Sequence, residues 1–241
     1  MKGRIFALLL AVATFAGGLY IGAQRNTTVI DDGSRAESYG GGFAGAEDFV
    51  PTIVAARTEG AQIHVVEAGQ SIQAAVNAAA PGDTLRIMPG TYRETVYIDK
   101  DGIRLIGVIE GGEWPTLEGE RRLNDAILYS GNNIVVENLK ITHFKGNAIM
   151  GQAGNNFEIR NNLIVDTGVY GIFPQLGQNG IIEGNVISGI EDAAIYVGMS
   201  DNVHVAHNEV FDSVAGIEIE NSRHAIVENN YVHNNTGGVL A

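Results

Sequence analysis

At 241 residues, 45% of them hydrophobic, the chain is long enough for one sizeable core, and only 18% of its residues are charged. A formal charge of −13 with no basic stripe argues against nucleic acid as partner, and against an anionic polysaccharide unless cations intervene. The absence of Cys excludes a disulfide framework, a thiolate metal site and a Cys nucleophile, while 32 Gly against 5 Pro suit short strands joined by tight turns.

Lys2 and Arg4 precede an uncharged, mostly apolar run over residues 5–23. Residues 1–23 therefore read as a cleaved export signal or, since the run is 19 residues long, as an uncleaved membrane anchor. In both cases the remainder faces outward, in the periplasm, on the cell surface or secreted, and touches the membrane only through that segment. Residues 24–60, punctuated by Asp31-Asp32-Gly33-Ser34 and Gly40-Gly41-Gly42, read as a linker without helix or strand period. Within 61–241, His64-Val65-Val66 predicts a short strand. Ser71 predicts an N-cap for a helix over 72–79 that Pro81-Gly82 ends. Residues 84–88, 91–98 and 102–107 alternate at strand period between turn residues.

From there a repeat takes over. A small residue followed by an aliphatic one recurs at Ala126-Ile127, Ala148-Ile149, Gly171-Ile172, Ala194-Ile195, Gly216-Ile217 and Gly238-Val239, in steps of 22, 23, 23, 22 and 22 residues. A second column runs Asn133, Asn156, Asn179, Asn202, with His224 in fifth place; a third, opened by Leu139, runs Asn162, Asn185, Asn208, Asn230. Each copy holds three short alternating segments, as in Ala194 to Val197, Val203 to Val205 and Val210-Phe211. A rung of that length with three strands predicts an all-β right-handed parallel β-helix, with aliphatic columns inside and Asn ladders at the corners. The helix over 72–79 stands where such a coil needs an N-terminal cap. Gly238-Val239-Leu240-Ala241 starts another copy and stops in mid-strand, so a C-terminal continuation is expected, and the chain as it stands should expose apolar rung surface there and associate.

Residues 168–174, 192–198, 214–222 and 234–238, together with Gly69-Gln70-Ser71-Ile72-Gln73-Ala74-Ala75-Val76, Pro81-Gly82-Asp83-Thr84 and Pro89-Gly90-Thr91-Tyr92, resemble an exported bacterial family of parallel β-helix repeat proteins. That family lies within the pectin-lyase-like superfamily. The resemblance covers residues 63–241, and the stretch from Glu218 to Ser222 is its most specific part. It implies the fold, export and a further C-terminal segment, and hands over no catalytic residue. Pectate lyases, polygalacturonases and alginate epimerases belong to the wider superfamily, which is analogy at the level of fold.

The pattern places Leu128, Met150, Phe173, Tyr196 and Glu218 in one outward column. Phe173, Tyr196, Glu218 and Glu220 are the candidate substrate-binding residues, because aromatic faces on a flat strip suit sugar rings. Glu218 and Glu220, with Asp192 or Asp201 from the neighbouring rung, are candidate ligands for Ca²⁺, and Arg223 is the basic residue that would instead neutralise them. Lyase or epimerase chemistry needs a base, for which Tyr196, His204 and His207 come into question. His207 at a turn and His224 in an Asn column read as structural. No Asp-Pro-His-Asp and no Gly-His-Gly is present. The expectation is a protein outside the cytoplasm that binds a carbohydrate polymer; if the face is catalytic, lyase or epimerase chemistry is favoured over hydrolysis. The competing expectation is an envelope scaffold or adhesion module that docks an exported protein partner on the same face.

Overall fold

The computed structural model describes Val12–Phe15, Gly18–Ile21 and residues 60–241. The chain divides into two units, Met1–Gly41 and Gly42–Ala241. In the first, Val12–Phe15 pairs antiparallel with Gly18–Ile21. The export or anchor segment 1–23 and the linker 24–60 otherwise lie outside the described residues. Among the described residues no helix is long and apolar enough to cross a membrane.

The second unit is the expected parallel β-helix. Its strands form three parallel sheets of eight, seven and seven strands, and each strand pairs with its equivalents one rung away. Sheet 1 opens with Ile63–Val66 and runs to Ile226–Glu228; sheet 2 runs from Gly90–Tyr92 to Tyr231–His233; sheet 3 runs from Val96–Ile98 to Gly237–Leu240. The segment 91–98, alternating throughout, is broken into the first strands of sheets 2 and 3. Alternation sends every second side chain inward, and the registers stack like upon like. Leu85, Leu105, Val136, Ile159, Ile182 and Val205 form the inner column of sheet 1. Leu117, Ile141, Ile164, Ile187 and Val210 form that of sheet 2, and Val96, Ile127, Ile149, Ile172, Ile195 and Ile217 that of sheet 3. All are buried, and each such side chain contributes about 1.5–3 kcal/mol. In the last rung the column ends at Val239, which is 52% exposed beside Leu240.

The two Asn columns are both ladders, of different kinds. Asn162, Asn185, Asn208 and Asn230 close the corner between sheets 1 and 2. The Nδ2 of Asn162, Asn185 and Asn208 each donates to the Oδ1 one rung on at 2.9–3.0 Å, and that same Oδ1 accepts the donor residue's own backbone N–H, while Asn230 Nδ2 donates to the carbonyls of Val205 and Glu228. Leu139, which opens the column, donates its backbone N–H to Asn162 Oδ1. Asn133, Asn156, Asn179 and Asn202, at the corner between sheets 3 and 1, are half-buried and bonded in the reverse sense, the Nδ2 of Asn156, Asn179 and Asn202 each reaching one rung back. All four have φ between 55° and 60°, the left-handed region that Asn tolerates better than other side chains. His224 shares that conformation, but its Nδ1 meets Asp201 Oδ1 at 2.7 Å and it does not extend the ladder.

The cap is helix α1, Ile72–Ala78, with Ser71 Oγ accepting from Ala74 N and with Ile72 and Val76 buried against the first strands. Its ends are held from the next rung. Glu94 accepts from Ser71 Oγ, Ile72 N and Gln73 N, and Lys100 Nζ donates to the carbonyls of Val76, Asn77 and Ala79 at 2.7–2.9 Å.

One core position is polar without need. The Tyr129 ring is packed over Gly151 and Gly154, where added Cβ atoms would strike it, and its buried hydroxyl has no hydrogen-bond partner. Tyr129→Phe removes only that group. It is expected to stabilise the protein by about 1 kcal/mol or more, read as a rise in the urea midpoint at unchanged slope.

Candidate functional site

The outward column of sheet 3 is the one read from the repeat. Tyr97, Leu128, Met150 and Phe173 are paired rung by rung, and Tyr196, Glu218 and Leu240 continue the same line. Phe173 and Tyr196 meet edge to face with ring centroids 4.9 Å apart. A third ring, Tyr170, completes the platform, stacking on Tyr196 at 4.7 Å and lying edge-on to Phe173 at 4.9 Å. Tyr170 precedes the small-aliphatic pair Gly171-Ile172, just outside the strand, and so escapes the period-2 reading.

Gly198 makes room for the rings. A Cβ there would stand 2.5 Å from Tyr196 Cε1 and 3.1 Å from Phe173 Cε2. Its equivalents in the neighbouring rungs are Gln175 and Glu220, so a side chain is missing from this column where the rings need the space. Leu176 and Met199 rim the same side, exposed and in the left-handed conformation with φ of 58° and 50°.

Carboxylates border the rings. Tyr196 Oη donates to Glu220, and the hydroxyl of Tyr170 interacts with Asp192. Both phenols titrate above the ordinary range, Tyr196 chiefly through its bond to Glu220 and Tyr170 chiefly through burial. Tyr196 is thus held protonated at neutral pH, with its hydroxyl engaged by Glu220. Glu218, half-buried, is pushed up by burial and then by the like charges of Asp192 and Glu220.

Other sequence candidates lie elsewhere. Asp201 opens a strand of sheet 1 and pairs with His224, so it does not join Glu218 and Glu220. Arg223 bonds through its backbone to Ser200 and Asn202 on that same side. His204 points outward from sheet 1 with Nε2 2.9 Å from Glu228, and His207 is exposed at a corner with φ 55°. Among the described residues no three His, Cys, Asp or Glu side chains converge closely enough to hold a metal ion, so Asp192, Glu218 and Glu220 are not a ready-made Ca²⁺ site. Two side-chain groups escaped the sequence reading. Phe211, Tyr231 and His233 stack on sheet 2, with His233 Nε2 3.2 Å from Glu209. Glu118, His143, Asp166 and Arg121 form a charge network at the corner between sheets 2 and 3, where Arg93 and Arg122 flank Glu120; the opposite charges there answer one another.

The family model described as right-handed β-helix region matches residues 122–241. No curated protein matches the chain. Among solved structures, the chain is similar to an alginate lyase from Paenibacillus sp. str. FPU-7, at 16% identity and a TM-score of 0.43 over 70% of this chain and 75% of that one. A putative glycosyl hydrolase from Parabacteroides merdae gives 15% and 0.44, over 66% and 87%. The A-module of a mannuronan C-5 epimerase from Azotobacter vinelandii gives 15% and 0.42, over 68% and 71%.

Proposed function

We propose that the outer face of sheet 3 binds a carbohydrate polymer, in a chain whose residues 122–241 match the right-handed β-helix region. The observation that carries this is the assembly of Tyr170, Phe173 and Tyr196 on an open sheet face, with ring centroids 4.7–4.9 Å apart and carboxylates at the border. Aromatic faces take the C–H faces of sugar rings, and the neighbouring carboxylates accept from hydroxyls. The apolar column from Tyr97 through Leu128 and Met150 leads up to the platform across four rungs and suits a chain rather than a monosaccharide. Lys2, Arg4 and the apolar run that follows support a place outside the cytoplasm for this face.

The test is a glycan-array screen of the chain, with and without Ca²⁺, beside Phe173→Ala, Tyr196→Ala and the double variant. Each ring is worth about 0.5–1.5 kcal/mol beyond its area, so the double variant is expected to bind about tenfold more weakly at unchanged fold. Glycan binding that ignores both substitutions removes this face as the site. Silence of the unaltered chain on the whole array, in both conditions, overturns the carbohydrate reading and turns the search to an exported protein partner.

A further inference from the structure

We infer that this face selects glycans bearing protonated amino groups and rejects uronates; the inference rests on the carbohydrate reading above. No strand of sheet 3 from Ile127 to Leu240 carries a Lys or Arg, while Glu218 and Glu220 point outward from it and Asp192 lies beside the rings. The wider field has the same sign. Residues 146–241 hold two basic residues, Arg160 and Arg223, against eleven acidic ones, a net of −9. Arg160 is bound to Glu158 on sheet 1, and Arg223 is paired through its backbone with Asp201 on that sheet. An anionic polymer approaching the rings meets repulsion from both the local and the regional charge.

A cation at this place meets three compatible groups. Ammonium groups over an aromatic face are attracted by the ring quadrupole, and Glu218 and Glu220 stand one step of the strand alternation apart, both able to accept charge-assisted bonds. The raised titration of Glu218 has like charges among its causes, and a bound cation would relieve that crowding. A metal ion needs several oxygens around one point, which these side chains do not supply. Amines spaced along a polymer need only one or two carboxylates each. Among cations, the arrangement therefore favours the amino sugar over the metal.

The experiment compares length-matched β-1,4-linked glucosamine oligomers, their N-acetylated counterparts and oligogalacturonate. Calorimetry is run where the carboxylates are ionised and the amines protonated. The amine oligomer is expected to bind about tenfold tighter than the acetylated one, to weaken with added salt, and to lose most of that advantage in the Glu218→Gln/Glu220→Gln variant. Oligogalacturonate is expected not to bind. Equal affinity for the amine and acetylated oligomers, or binding of oligogalacturonate, overturns the selection for amines; the carbohydrate reading then stands if Tyr196→Ala abolishes the binding. Amine-oligomer binding that Tyr196→Ala leaves unchanged is general charge attraction and overturns the inference as well. If no oligomer binds, the inference is overturned, and the glycan array decides the carbohydrate reading separately.

Discussion

Asn185→Leu is expected to remove about 3–5 kcal/mol of folding free energy, more than any single ring on the outer face contributes to stability. Asn185 is fully buried, and its side chain serves five bonds. Oδ1 accepts from the backbone and the side chain of Asn162, and Nδ2 donates to Ile159 O, Glu183 O and Asn208 Oδ1. Leucine has the same branching but is bulkier, and it leaves the backbone N–H of Asn162 buried without its acceptor, at about 1–3 kcal/mol, while Asn162 Nδ2 and Asn208 Oδ1 each lose a ladder bond. The comparison is Asn179→Gly in the other ladder. That position is half-buried at φ 55°, which glycine adopts freely, so only ladder bonds worth about 0.5–1.5 kcal/mol each are lost. Urea unfolding of the two variants should separate them clearly; equal losses would mean that the buried ladder is not the stronger one.

Lys100→Met is expected to cost about 2 kcal/mol, most of it local to the cap. The ammonium gathers three carbonyls at the C-terminal end of α1 while Glu94 takes three donors at the N-terminal end, each charge matched to the end of the helix dipole that it faces. Methionine keeps the stem and removes the charge. Hydrogen exchange should then show faster opening of the amides of α1, with the inner columns from Ile127 onward protected as before. If protection along α1 is unchanged, the clamp contributes nothing and apolar contact through Ile72 and Val76 alone holds the cap.

The Ile column and both Asn columns were legible because each repeats at one period with one residue type, and stacking in register turns the period into contact. The outward column was legible for the same reason: once Ile172, Ile195 and Ile217 face in, Phe173, Tyr196 and Glu218 must face out. What stayed hidden depends on the corners. Asn179 and Asn185 look alike in the sequence, and only the path of the chain puts one at a half-open corner and the other inside. Tyr170 lies outside its strand, so no alternation points to it. Glu94 and Lys100 act on groups 21–24 residues away, in a part of the chain where the period is not yet regular. The network around His143 joins Glu118 and Asp166 across successive rungs through unlike residues, and a search for repeated types passes over it.

The buried ladder has a consequence for how such a molecule can grow or shrink. Asn162, Asn185 and Asn208 each bond to the next by the same atoms in the same order. Excision of one complete period would bring Asn162 onto Asn208 and regenerate every contact of the column, whereas loss of a few residues would break all of them from that point on. Length in this architecture is therefore quantised. The surface strip that carries Phe173 and Tyr196 can be extended or shortened only in steps of about 4.8 Å, and reach along a polymer becomes a matter of integer copy number rather than of loop adjustment.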